Sequence, residues 1–136
     1  MKIYIKSSTS ANPFKQMDCR KITPQSINEF KHEYKQLSHI RTNKNTLGYF
    51  YSIDGKLQGM INTEDKNGEI WIQGIELFGD SKGKGLSKYL LDITVKDLGA
   101  THLSVNKKNS IAKHLYDKYG FEVYDEDDTM YYMRVS

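Results

Sequence analysis

Apolar and polar residues alternate with period two over Lys2–Lys6 ("KIYIK"), which predicts a short strand. A polar loop follows, and Met17–Ile22 reads as a second, weaker strand. Thr23-Pro24 then starts a helix, because Thr is a good N-cap and Pro suits the first helical position. Ile27, Phe30, Tyr34 and Leu37 recur at helical spacing and give it one apolar stripe. After the polar run Arg41–Thr46, Gly48–Ile53 ("GYFYSI") is an aromatic-rich strand. Asp54-Gly55 is a hairpin turn, and Lys56–Thr63 is the returning strand. A further turn at Glu64–Gly68 leads into Glu69–Phe78 ("EIWIQGIELF"), a long strand with Gly74 inside it. An internal strand glycine marks a bulge or a close backbone approach.

In the second half, Leu86, Tyr89, Leu90, Ile93 and Leu98 mark a helix from about Leu86 to Leu98, stopped by Gly99. His102–Val105 is a short strand. Asn109 or Ser110 caps another helix, which carries Ile111, Ala112, Leu115 and Tyr119 and closes at Gly120. Phe121–Tyr124 and Met130–Val135 are the last strands, joined by an acidic turn, Asp125–Asp128. A meander followed by a βαβ unit predicts an α+β (mixed α/β) fold, with helices packed on a mixed sheet.

A length of 136 residues predicts one domain over 1–136, long enough to bury a core without disulfides. The only cysteine, Cys19, has no partner in the chain. This excludes a disulfide scaffold and a Cys-rich zinc site, and it fits a reducing, cytoplasmic setting. The N-terminal segment has no continuous apolar run, so it reads as neither a signal peptide nor a membrane span. A net charge of +3 permits an anionic ligand without the footprint of a nucleic-acid binder. The four histidines, His32, His39, His102 and His114, form no HxH or HxxxH pair, so no metal site is expected. His32 and His39 are expected on one exposed face of the first helix.

One segment carries chemistry: "LFGDSKGKGLSKYLL", Leu77–Leu91. It lacks the Gly-x-x-x-x-Gly-Lys-Ser/Thr of a nucleotide-binding loop, since only three residues separate Gly79 from Gly83-Lys84 and Gly85 offers no hydroxyl. It also lacks the third glycine of the dinucleotide fingerprint, where Lys88 stands. What remains is a strand end, a glycine turn and an immediate helix start, whose free N–H groups and positive dipole end face the loop. With Lys82 and Lys84 this makes an anion site suited to a pyrophosphate without a metal. On the loop alone, a glycine turn with solvated lysines is an equal reading.

A second stretch, "NSIAKHLYDKYGFEVY" (Asn109–Tyr124), decides between them. The loop resembles the acyl-CoA motif of the GNAT superfamily of N-acetyltransferases, Arg/Gln-x-x-Gly-x-Gly/Ala. Lys82 takes the first place, Gly85 the central glycine and Ser87 the last. Lys82 and Ser87 depart from the motif but keep the positive charge and the small size. The second stretch resembles the family's Asn-x-x-Ala-x-x-Leu-Tyr-x-x-x-Gly-Phe signature at Asn109, Ala112, Leu115, Tyr116, Gly120 and Phe121.

The resemblance implies a GNAT-like central mixed, mostly antiparallel sheet with splayed fourth and fifth strands and helices on both faces. It implies an N-acetyltransferase that passes an acetyl group from acetyl-CoA directly to a primary amine in a ternary complex. The backbone N–H groups of Lys82, Gly83, Lys84, Gly85, Leu86 and Ser87 would hold the pyrophosphate. The open edge Ile75–Phe78 would pair with the pantetheine arm, aided by Asn109, whose capping of its helix is compatible with that role. The Leu77 N–H would face the developing oxyanion, and Tyr116 would protonate the leaving thiolate. The competing reading of Tyr116 is a core tyrosine.

For the general base, Glu76 on the fourth strand stands nearer the loop than Glu69, and Ser104 closes the fifth-strand alternative. Tyr49, Tyr51, Tyr131 and Tyr132 are candidate walls of an acceptor pocket. The acceptor is a small-molecule or protein amine of unspecified identity. No nucleic-acid or membrane partner is expected, and the chain would act as a monomer or homodimer. The alternative is a non-catalytic acyl-CoA-binding or protein-interaction module of the same fold.

Overall fold

Asp54-Gly55 and Asn67-Gly68 all take positive φ (51° and 76°; 56° and 91°), the backbone that suits a two-residue hairpin turn between twisted strands. These two turns fold Thr46–Ile53 (β3), Lys56–Lys66 (β4) and Glu69–Leu77 (β5) into an antiparallel meander. Lys2–Lys6 (β1) and Phe14–Ile22 (β2) extend it on one side, and Ala100–Asn106 (β6) adds in parallel to β5. Glu122–Glu126 (β7) and Met130–Arg134 (β8) complete an eight-stranded sheet in the order β1-β2-β3-β4-β5-β6-β8-β7. The structure is a computed structural model. It describes residues 2–6, 14–40, 46–78 and 85–135, with side chains described from Asp18 onward.

Period-two alternation in the central strands builds two cores. Phe50 and Met60 face Ile27–Glu33 (α1), where Ile27, Phe30, Tyr34 and Leu37 bury the predicted stripe. Phe30 and Tyr34 meet Phe50 edge-on, with ring centroids 4.9 and 5.5 Å apart. Tyr49, Tyr51 and Ile61 face the other way, onto Leu86–Ile93 (α2) and Ser110–Tyr119 (α3). Both α2 and α3 belong to crossovers between parallel strands running in the same direction across the sheet. Right-handed crossovers therefore put both on one face. The mixed, mostly antiparallel sheet with helices on both faces is the expected fold.

The first helix is shorter than its stripe. Thr23 and Ser26 exchange hydrogen bonds in a turn, and α1 begins only at Ile27. A 3₁₀ turn, Lys35–Leu37, follows it. His39 therefore lies in a turn beyond the helix, and the expectation that it shares a helix face with His32 is corrected. The helix expected from Leu86 to Leu98 is α2 followed by a π-helical turn, Thr94–Leu98.

Gly48 lies in β3, where a Cβ would stand 2.2 Å from the Ile61 carbonyl oxygen on β4. Backbone cannot yield as a side-chain tip does. Gly48→Ala is expected to destabilise the protein by about 1–3 kcal/mol through overpacking, read as a lower midpoint in urea unfolding with unchanged slope.

Candidate active site

The site begins with a mismatch between β5 and its two neighbours. Toward β4, β5 pairs along its whole length, from Glu69 to Leu77. Gly74 pairs with Asn62 while Ile72 pairs with Thr63, so Gln73 is an extra residue and the strand bulges there. Toward β6, β5 pairs only at Ile70–Ile72. Beyond Leu103, β6 continues alongside β8 instead, as far as Asn106. The two parallel strands thus splay apart from the bulge onward.

The direction of the freed groups follows from the ladder. The Phe78 N–H donates to the Gln58 carbonyl at 2.9 Å, so Phe78, Glu76 and Gly74 turn their backbone polar groups toward β4. Ile75 and Leu77, alternating with them, turn theirs into the splay. Side chains alternate as well. Leu77 faces α2 and α3, and Glu76 faces the α1 side with its register partner Met60.

On the α2/α3 side a cavity of about 640 Å³ is walled by Leu77, Leu91, Leu115 and Tyr119, with Gly85 and Ser87 at one end. That volume suits a small-molecule ligand. Gly85 is the N-cap of α2 in the left-handed region (φ 77°), and among the described residues no side chain caps the helix. The first turn holds no acidic residue, and Lys88 stands on the cavity wall. Lys82, Gly83 and Lys84 lie outside the described residues.

Two tyrosines of α3 stand differently toward this cavity. Tyr116 is 6% exposed, packs edge-on to Phe121 at 6.1 Å and does not line the cavity. Its hydroxyl takes no hydrogen bond among the described residues. Burial pushes its pKa up, so it stays protonated. Tyr119 does line the cavity and donates to Asp92 Oδ1 at 2.9 Å, tying α3 to α2. Burial, then the Asp92 carboxylate, pushes its pKa up to about 12. The chain pattern gave no sign of this bond, because its partners are 27 positions apart on different helices. Asn109 caps α3, accepting from the Ala112 N–H at 3.1 Å.

On the α1 side a second cavity, of about 430 Å³, is lined by His39, Asn62, Glu64, Gln73, Gly74 and Glu76, among others. His39 Nε2 lies 2.5 Å from Glu76 Oε1. Glu69 stands at the opposite end of β5, beside Trp71 and His102. The four candidate wall tyrosines line neither cavity. Tyr49 and Tyr51 are core residues, Tyr131 lies under Lys107 and Lys113, and Tyr132 donates to Asp127. Among the described residues no group of three or more His, Cys, Asp or Glu could hold a metal ion, and no helix is long and apolar enough to cross a membrane.

Residues 19–131 match the family model described as an acetyltransferase (GNAT) domain. The chain belongs to the GNAT acetyltransferase family. No curated protein matches it significantly. Solved structures carry the same fold. The PaiA N-acetyltransferase of Thermoplasma acidophilum, in complex with coenzyme A, is 18% identical with a TM-score of 0.64 and covers 88% of this chain and 98% of its own. The Campylobacter jejuni N-acetyltransferase PseH, in complex with acetyl coenzyme A, is 19% identical with a TM-score of 0.59 over 88% of this chain and 98% of its own. The GNAT domain of S. lividans PAT is 10% identical with a TM-score of 0.68 over 98% of this chain and 95% of its own.

In this GNAT domain the Tyr119–Asp92 bond has a consequence for stability that depends on pH. The Tyr119 hydroxyl, and after it Lys96, holds the Asp92 carboxyl below the usual aspartate range. A carboxyl depressed by folding stabilises the protein above its unfolded pKa, and the contribution is lost as pH falls through the folded pKa. Tyr119→Phe is therefore expected to lower stability at neutral pH, with the gap from wild type closing below about pH 4. Thermal unfolding of both proteins across pH 2–8 checks it.

Proposed function

We propose that this GNAT domain transfers an acetyl group from acetyl-CoA directly to a primary amine in a ternary complex. The observation that carries this is the open edge of β5. Its backbone, which pairs with β6 only as far as Ile72, lies beside the start of α2, with a cavity between α2 and α3. An arm with amide groups can pair with Ile75 and Leu77 as an extra strand would, and a pyrophosphate can take the N–H groups at Gly85, Leu86 and Ser87. The residues present therefore fit acetyl-CoA. Lys82, Gly83 and Lys84 complete the pyrophosphate loop, and Asn109, while capping its helix, also bonds the pantetheine arm.

The Leu77 N–H, pointing into the splay, donates to the thioester oxygen as negative charge develops there. Tyr116, kept protonated, supplies a proton to the departing sulfur. Glu76, on the opposite side of the same strand, serves the amine, which must lose a proton to expose its lone pair. The sheet thus separates the two substrates except at the splay, where they meet. The amine is a small molecule or a protein amine, and the setting is cytoplasmic.

Gly85→Glu places a side chain at φ 77° and a negative charge against the helix start. It is expected to abolish coenzyme A binding in calorimetry, with the circular dichroism spectrum unchanged. Retained affinity would overturn the pyrophosphate assignment.

Tyr116→Phe removes a hydroxyl that has no hydrogen-bond partner among the described residues. Stability is expected to change by no more than about 0.5 kcal/mol, and acetyl-CoA affinity should hold. Turnover is expected to fall by about 10²-fold, the low end of general-acid loss, because a thiolate is a tolerable leaving group. Thiol release with an amine panel measures it, and unchanged turnover would make Tyr116 structural.

A further inference from the structure

Resting on the reading above, we infer that His39 is the proton acceptor for the amine, with Glu76 holding its ring in place. The pair joins residues 37 positions apart, from a turn and a strand that no sequence pattern links. Both line the cavity on the α1 side, and Glu76 is next in sequence to Leu77, whose N–H faces the splay.

The turn that carries His39 is fixed from both ends. Leu37 and Ile40 are buried at 0% and 4%, and the Ile40 N–H donates to the Leu37 carbonyl. The exposed imidazole between them therefore stands on a rigid base rather than on a loose loop. The other cavity groups are suited to a cationic guest. Asn62 and Gln73 offer amide oxygens, Glu64 adds a carboxylate, and Gly74 leaves the floor bare next to the Asn62 amide.

The roles follow from bonding capacity. Nε2–H donates to Glu76 Oε1, so Nδ1 keeps its lone pair, and no described residue bonds it. An amine arriving as its ammonium gives one proton to Nδ1. The nitrogen lone pair so exposed attacks the thioester carbon, the carbon–sulfur bond breaks, and the sulfur leaves with a proton from Tyr116, while the second proton that the nitrogen sheds on becoming an amide returns through solvent to the Tyr116 oxygen. The imidazolium, stabilised by Glu76, then returns its proton to water. Imidazole suits this task better than an exposed carboxylate, because a base works best when its ordinary pKa lies near the operating pH.

The test separates accepting a proton from merely holding Glu76. His39→Gln keeps an N–H donor for Glu76 but cannot take a proton. The acceptor is whichever of spermidine, glucosamine, a lysine peptide or a peptide with a free N-terminus the wild type acetylates fastest. With it, kcat is expected to fall about 10²-fold or more for both His39→Gln and His39→Ala, while acetyl-CoA affinity stays at the wild-type value. Added imidazole should restore part of the rate to His39→Ala and none to His39→Gln. If His39→Gln retains kcat within twofold of wild type, His39 only positions Glu76 and the inference is overturned. If the wild type binds acetyl-CoA but acetylates none of the amines, the inference falls together with the reading it rests on.

Discussion

Everything at this site depends on one strand having different partners on its two sides. Toward β4, β5 is satisfied to its end, which anchors it in the sheet. Toward β6 it is satisfied for three residues, Ile70–Ile72, and then abandoned. The bulge at Gln73 marks the division, because an extra residue bends the strand and increases its local twist. Unpaired backbone inside a protein is costly unless something else completes its hydrogen bonds. The splay is therefore the place where the sheet leaves backbone groups open to a further partner.

The same strand also sorts the chemistry by face. Period-two alternation sends Leu77 to the α2/α3 side and Glu76 to the α1 side, one residue apart. A ligand with its arm along Ile75–Leu77 and an acceptor beside Glu76 would approach from opposite faces and touch only where β6 has left. No hinge is needed to bring them together. The stiff meander β3–β4–β5 and the aromatic packing of Phe50 on α1 hold the geometry.

Electrostatics follows the two faces. On the helix side, burial keeps Tyr116 protonated, and Tyr119 is committed to Asp92, where it ties α2 to α3. Lysines line that cavity, at Lys88 and Lys118. On the α1 side the cavity is lined by Glu64, Glu76 and His39. Lys88 and Lys118 thus line one face and the Glu64 and Glu76 carboxylates the other, although the chain as a whole carries only a mild positive charge.

Much of this was legible in the chain. The aromatic run of β3, the Asp54-Gly55 turn and the stripe of Ile27, Phe30, Tyr34 and Leu37 declare themselves, since local spacing reports which face an element buries. Gly74 announced a bulge because only a few backbone situations call for glycine inside a strand. The Asn109–Phe121 signature and the glycine turn pointed to the family. What local spacing cannot carry is distance through space. The helix expected to hold His39 ended at Glu33, and the turn beyond it turned the ring onto Glu76. Tyr119 met Asp92 only because two crossovers of the same hand put α2 and α3 on one face. The sequence by itself determined the elements, the two buried faces and the family, since each is written in neighbouring residues. Only the tertiary structure decided which side chains share a cavity, because the direction of β6 after Leu103 and the seat of the α1 turn are set by packing between distant segments.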